Sequence, residues 1–395
     1  MRQALAVSGC SRRSAWRAVC TAALAGLLAL GASAQVNAPV ALNADLGEQV
    51  LMVPHRGKLF SPELETTLYR PPGDGPFPVV IINHGKMAGD TRFQARYRPA
   101  GAARFFLARG YAVVVPMRLG FSRSSGAYIG GGCNVESNGR VQAEDVKAVL
   151  DWLAEQAWAD RNQVLLLGQS HGGWTTLASG AMGFDGVKAL VNFAGGLRQP
   201  DCPGWEAALA RAVGQYGKDT RTPSIWFYGE NDSFFPEPVW RAMADAYTAA
   251  GARAEVVNVG RFGSDAHNLF GARAGEPIWQ PRLATFLSTV GLPVAVRHPQ
   301  LARAGLTPAP PASGFAAVDD VGKVPFVKAG GREGYKAFLG KQFPRAFALA
   351  PSGAWGWAEM GEDPLGRALA ICQRNAKDGC TLYAVDDQVV WKEKE

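Results

Sequence analysis

The chain has 395 residues, of which 47% are hydrophobic, 19% charged and 10% aromatic. This excludes intrinsic disorder and suits one large globular domain with room for a small second one. The formal charge of +7 includes four arginines near the N-terminus, so about +3 remains without them. No basic stripe with interleaved aromatics stands out, and nucleic-acid binding is not expected.

Residues 1–34 read as an export signal. Arg2, Arg12, Arg13 and Arg17 form a basic region without acids, and Ala18 to Gly31 is an apolar stretch. Ala32-Ser33-Ala34 is a small-residue cleavage site that would start the mature chain at Gln35, with no membrane span remaining. Ser11-Arg12-Arg13 is a twin-arginine pair, but Ala15-Trp16 fits poorly after one, which favours the general export route over the twin-arginine one. Cys10 and Cys20 would leave with the signal. Cys133, Cys202, Cys372 and Cys380 remain, an even number that suggests two disulfides in an exported protein. Three pairings are possible, and proximity favours Cys133–Cys202 with Cys372–Cys380.

Two strand candidates, Gln49–Val53 and Glu65–Tyr69, are placed to begin a sheet as an antiparallel hairpin. Six short runs follow: Phe77–Asn83, Tyr111–Met117, Gln163–Gly168, Val187–Phe193, Ser224–Gly229 and Ala254–Val259. Such runs suit strands buried on both faces. Helical segments are expected between and after them at Ala102–Arg109, Val141–Gln156, Pro238–Ala250 and Pro277–Val290, the last two with proline suited to a first turn. The rhythm predicts a doubly wound α/β architecture with a mostly parallel sheet over residues 35–297. Residues 298–316 are rich in Pro and Ala and read as a linker. Residues 317–395 read as a small α+β accessory domain. It has a hairpin around Pro351-Ser352-Gly353, a helix capped by Asp363 with Pro364 in its first turn, and strands at Thr381–Val385 and Gln388–Trp391. A Cys372–Cys380 bridge would staple it.

The chemistry-bearing residues lie at strand ends. Gly168-Gln169-Ser170-His171-Gly172 follows a strand and opens a helix, the setting of a nucleophile elbow, where small residues must flank a sharply turned serine. The helix start aims free N–H groups at developing negative charge. A serine hydroxyl needs a base. Of His55, His84, His171, His267 and His298, His267 lies in the loop after the last core strand, where the order Ser, acid, His puts it. Asp232, after the strand Ser224–Gly229, is the acid candidate. Glu230 lies too near the strand, and Asp265 too near His267. The backbone N–H groups of His171 and Lys86 are the expected oxyanion hole, with Gly85 allowing close approach.

These pieces carry a family resemblance. VVIINHG, RGYAVVVPMRLGFSRSSG, GQSHGG, WFYGENDSFFP and DAHNLF span about 65–290 in the order found in the α/β-hydrolases, and the chain resembles the dienelactone hydrolase-like branch. The resemblance implies an eight-stranded, mostly parallel sheet and a triad of Ser170, Asp232 and His267. The namesake enzymes use a cysteine nucleophile; serine here favours general ester chemistry. GQSHGG also looks like the elbow of prolyl-oligopeptidase-type peptidases. A short cap helix is expected around Trp205–Val213, too little for a deep lidded tunnel, and a Cys133–Cys202 bridge would staple the neighbouring loop to it. Tyr128, Trp174, Trp205, Phe234 and Phe235 are candidate pocket walls or plain core. Arg118 is a candidate for binding a substrate carboxylate or for a structural role. The expectation is an exported, cofactor-free serine hydrolase of small-molecule carboxylic esters. The alternatives are a serine peptidase or a binding protein on a hydrolase scaffold. Trp355, Trp357 and Trp391 could make the C-terminal domain a platform for cell-envelope polymer, or be its core.

Overall fold

Side chains that alternate between two apolar faces organise the main sheet. A computed structural model describes residues 42–56, 60–341, 344–359 and 363–393; the expected export signal and its cleavage site lie outside the described residues. The strands are β1 (Gln49–Pro54), β2 (Glu63–Tyr69), β3 (Phe77–Asn83), β4 (Ala112–Pro116), β5 (Ala159–Gln169), β6 (Val187–Phe193), β7 (Ser224–Tyr228) and β8 (Ala254–Asn258). They form one eight-stranded sheet in the order β1-β2-β4-β3-β5-β6-β7-β8. β2 runs antiparallel to β1 and to β4, and every other neighbouring pair is parallel.

The helices are α1 (Ala100–Leu107), α2 (Val135–Leu153), α3 (His171–Ala181), α4 (Trp205–Asp219), α5 (Glu237–Ala249) and α6 (Glu276–Thr289). They cover both faces of the sheet because its inner strands are apolar on both. Val80, Ile82, Val113, Leu165, Leu167 and Val191 face α1 and α6, where Phe105, Phe106, Trp279 and Leu283 close the core. The alternate residues Val79, Ile81, Val114, Val164 and Leu166 meet Val146 and Val149 of α2. On that second face Trp174 of α3, Leu209 and Val213 of α4, and Trp240 and Met243 of α5 pack with Trp226 and Tyr228.

Two helices differ from expectation in extent. α2 begins at Val135, six residues before the predicted start, because Asn134 Oδ1 accepts the Ser137 amide at 2.9 Å and caps it. α4 runs to Asp219 because Tyr216 is buried against Trp174, extending the apolar face.

A second, antiparallel sheet follows, from β9 (Arg345–Leu349), β10 (Trp355–Glu359), β11 (Thr381–Val385) and β12 (Gln388–Val389) in the order β10-β9-β11-β12. One face packs on α8 (Pro364–Gln373) through Leu365, Ala368 and Cys372. Asp363 Oδ1 accepts the Gly366 amide at 3.0 Å and caps α8. The other face packs on α7 (Ala329–Leu339) through Tyr335 and Phe338. α7 is not evident in the sequence, since Gly330, Gly331 and Gly334 weaken its helical propensity. The reason for glycine is contact: a Cβ at Gly334 would lie 2.3 Å from the Trp355 ring. Trp355 stacks on Phe347 at 5.8 Å, and Trp391 meets Phe315 edge-on at 4.7 Å. Trp355, Trp357 and Trp391 thus pack, partly buried, against the core of this domain. The segment read as a linker lies along this second sheet: Thr307 Oγ1 donates to Asp363 Oδ2 at 2.6 Å, and the Ser313 amide to the Val389 carbonyl at 2.9 Å. Among the described residues the disulfides are Cys133–Cys202 and Cys372–Cys380. No helix among the described residues is long and apolar enough to cross a membrane.

Candidate active site

The elbow follows from close packing of backbone on backbone. Ser170 sits between β5 and α3 at φ 57°, ψ −126°, a conformation costly for a residue with a Cβ and found where surrounding structure enforces it. A Cβ at Gly168 would lie 2.1 Å from the Gly172 carbonyl oxygen, and one at Gly172 would lie 2.0 Å from the Asn83 carbonyl oxygen. Both positions therefore need glycine. The second contact seats the elbow against the end of β3, and a Cβ at Gly85 would lie 3.4 Å from the Ser170 Cβ. The loop after β3 thus borders the serine directly.

His267 arrives on a 3-10 turn, Ala266–Asn268, after β8. Its Nδ1 lies 3.1 and 3.2 Å from the two carboxylate oxygens of Asp232, and both side chains are buried. Asp232 is itself anchored, because its Oδ1 accepts the amides of Phe234 and Phe235 at 2.8 and 2.9 Å. Asp265 serves the backbone instead. Its Oδ1 accepts the His267 and Ser233 amides at 2.9 and 3.0 Å, tying the acid loop to the histidine loop. Glu230 is exposed. Gln169 links the elbow to this assembly, donating from Nε2 to the His267 carbonyl at 2.9 Å. Phe234 stacks on the His267 ring at 4.3 Å, and Phe235 lies 5.7 Å from it.

The Lys86 and His171 amides have no acceptor among the described residues. His171 begins α3, where such N–H groups are unpaired by construction. Its imidazole turns away from the elbow into the interior: Nδ1 accepts from Arg118 Nη2 at 3.1 Å, and Nε2 donates to Asn138 Oδ1 at 2.8 Å. His84 is buried likewise, its Nδ1 donating to the Gly85 carbonyl at 2.7 Å and its Nε2 accepting the Arg118 amide at 3.0 Å. Burial first, and the Arg118 charge second, hold both imidazoles well below the ordinary histidine range, so both are neutral.

The proposed pocket walls divide. Tyr128 is half-buried, edge-on to His171 at 5.8 Å, with Lys86 Nζ 5.7 Å from its ring. Trp205 is half-buried and 6.5 Å from Phe235. Phe234 is 40% exposed, the Arg198 guanidinium 5.8 Å from its ring. Trp174, by contrast, is a core residue. It is fully buried and donates from Nε1 to the Val135 carbonyl at 2.9 Å, so it cannot line a pocket. Arg118 as a binder of substrate carboxylate is also corrected, because it is fully buried with its guanidinium donors turned to protein acceptors. The Cys133–Cys202 bridge, with Gln199 Nε2 donating to the Gly132 carbonyl at 3.0 Å, joins the loop after Tyr128 to the segment before α4. Gln169, Asn138 and Gln142 were missed by the sequence reading. Asn138, Gln142 and Asp145 form a polar stripe at helical spacing on α2, a signal that was available.

The strand order, the serine elbow between β5 and α3, and the acid and histidine after β7 and β8 follow the layout of the α/β-hydrolase fold. The profile of the X-Pro dipeptidyl-peptidase (S15) family matches residues 62–226. Cocaine esterase of Rhodococcus sp. (strain MB1 Bresler) is 32% identical over 141 residues, 36% of this chain and 22% of that enzyme. The chain thus matches about a fifth of the length of that relative. Among solved structures, an esterase of Pyrococcus furiosus aligns with a TM-score of 0.47 and 14% identity, over 64% of this chain and 95% of that one. A Klebsiella pneumoniae protein provisionally assigned as a dienelactone hydrolase aligns with a TM-score of 0.44 and 20% identity, over 61% and 98%.

Proposed function

We propose that the protein is an exported serine hydrolase that cleaves carboxylic esters through an acyl-enzyme. The observation that carries the reading is the anchored Asp232–His267 pair, tied through Gln169 to a serine held at positive φ. In this reading Ser170 Oγ attacks the acyl carbonyl while His267 Nε2 takes its proton. Asp232 holds the Nδ1–H tautomer and stabilises the imidazolium that forms. The Lys86 and His171 amides receive the oxyanion, His267 returns the proton to the leaving alkoxide, and water then releases the acyl group by the same route. The half-buried Tyr128 and Trp205 and the exposed Phe234 are the proposed contacts for the substrate's apolar parts.

The S15 profile favours one alternative, removal of X-Pro dipeptides from peptides. The charges beside the site weigh against it. Lys86 and Arg198 stand over the rings of Tyr128 and Phe234, and two cations would repel a free peptide α-ammonium. The two disulfides support a location outside the reducing cytosol, and N-terminal sequencing of the exported protein is expected to begin at Gln35. The test of the activity is turnover of short- and long-chain p-nitrophenyl esters and of an X-Pro p-nitroanilide, wild type beside Ser170→Ala. Short-chain ester turnover that falls by about 10⁴-fold or more in the mutant is expected. Anilide turnover without ester turnover would replace the ester reading with the peptidase one.

A further inference from the structure

Arg118, just after β4, is 0% exposed, and among the described residues no carboxylate pairs with it. Its guanidinium donates from Nε to Gln142 Oε1 at 3.1 Å, from Nη1 to the His84 carbonyl at 2.8 Å and from Nη2 to His171 Nδ1 at 3.1 Å. All three acceptors are neutral. Burying this cation is costly: burial pulls the Arg118 pKa down to about 10, opposed by the Asp145 carboxylate from beyond ion-pair distance, which still leaves it charged at neutral pH. A purely structural role would be served as well by a neutral donor or an ion pair. What distinguishes these acceptors is where they lie. His84 and His171 are the residues on which the two arms of the candidate oxyanion hole depend.

On the first arm, the Arg118 guanidinium holds the His84 carbonyl at 2.8 Å, and the Arg118 backbone amide, which side-chain substitution leaves in place, donates to His84 Nε2 at 3.0 Å and fixes the imidazole with its proton on Nδ1. That proton is donated to the Gly85 carbonyl at 2.7 Å. The Gly85 carbonyl and the Lys86 N–H belong to one planar trans peptide and point in opposite directions. Holding the oxygen inward therefore aims the Lys86 N–H outward. On the second arm, His171 is gripped between Arg118 and Asn138 Oδ1, and this imidazole belongs to the residue whose amide is the second donor.

We propose that Arg118 is the positioning residue of the oxyanion hole: it locks both donor peptides through His84 and His171, and its buried charge lies behind them to favour the oxyanion. The inference rests on the proposed roles of Ser170, Lys86 and His171. It extends them by placing the control of the hole in a buried residue that touches no substrate.

The experiment compares wild type with Arg118→Met, Arg118→Lys and His84→Phe. For each, kcat and KM on a short p-nitrophenyl ester, affinity for a trifluoromethyl ketone that mimics the oxyanion, and thermal unfolding are measured. Labelling of Ser170 by a fluorophosphonate is scored in wild type. The expected result is a fall in kcat of about 10²-fold for Arg118→Met, since loss of a hole donor costs that much, with KM within about threefold and ketone affinity falling with kcat. Arg118→Lys keeps the charge but reaches fewer acceptors, and is expected to lose about tenfold. His84→Phe, which keeps a ring of similar shape, is expected to lose kcat and ketone affinity together. Should Arg118→Met fail to fold, the other two variants decide. Folded Lys and Phe variants with wild-type kcat and ketone affinity would overturn the inference alone, as would a loss confined to KM. Wild type that neither turns over esters nor labels at Ser170 would overturn the proposed function and this inference with it.

Discussion

At the scale of single residues, the buried histidines show how local environment sets protonation. His84 and His171 both lie under the elbow, desolvated and near the Arg118 charge, His171 near that of Lys86 as well, and both are held neutral. In the unfolded chain each would titrate near 6.5. Below that pH the unfolded state binds protons that the folded state refuses, so folding stability is present in full above about pH 6.5 and declines as pH falls beneath it. Each histidine contributes up to about 1.4 kcal/mol per pH unit, and the pair up to about 2.7. Urea unfolding at pH 7.5, 6.5 and 5.5 is expected to show this loss well before the ordinary carboxylates titrate. A stability that stays level from pH 7.5 to 5.5 would contradict the burial of neutral imidazoles. Asp232 shows the complementary case, a carboxylate whose geometry is set by two backbone amides before histidine is considered.

At the scale of elements, the elbow depends on how closely the β5–α3 turn approaches the end of β3. Gly172→Ala adds one methyl group where the Asn83 carbonyl oxygen would be 2.0 Å away and the His84 carbonyl oxygen 2.7 Å. Neither obstacle is a flexible side chain, so the backbone must move, and it carries the Gly85–Lys86 loop with it. The substitution is expected to cost about 1–3 kcal/mol of stability and to lower ester turnover by about 10²-fold, because an ångström of misplacement at a reacting centre costs that much. Melting curves and kcat for Gly172→Ala beside wild type check it; unchanged kcat would mean that the hole tolerates displacement. Much of this was legible in advance. The alternation of apolar runs and the Gly-x-Ser-x-Gly turn are local patterns, so the sheet strands, the elbow serine and the placement of Asp232 and His267 after their strands could be read directly. What could not be read depends on partners distant in the chain. The role of Arg118 is set by His84, Gln142 and His171, drawn from three separate segments. The glycines of α7 make sense only once Trp355 lies against them.

At the scale of the whole molecule, the two disulfides act over very different lengths of chain. Cys133–Cys202 spans 69 residues and includes β5, the elbow and β6 within its loop, whereas Cys372–Cys380 spans 8 and joins the end of α8 to the start of β11. On loop-closure entropy alone the first constrains the unfolded chain by about 4.4 kcal/mol and the second by about 2.5 kcal/mol. The first also clips the loop after Tyr128 to the segment leading into α4, where Gln199 already donates to the Gly132 carbonyl. Removing it should therefore loosen one wall of the site as well as the fold. Cys133→Ser with Cys202→Ser is expected to lower the melting temperature more than Cys372→Ser with Cys380→Ser. It should also raise KM for apolar esters, since Tyr128 and Trp205 lose their relative placement, with kcat little changed because neither residue touches the His267–Asp232 pair. The C-terminal pair of substitutions should leave KM unaltered, as that bridge lies within the second sheet's own core. Melts and ester kinetics of the two double variants test both points. A larger destabilisation from the short bridge would show that unfolded-state entropy does not govern these cross-links, and an unchanged KM in the first variant would show that the clipped loop does not form part of the acyl-binding surface.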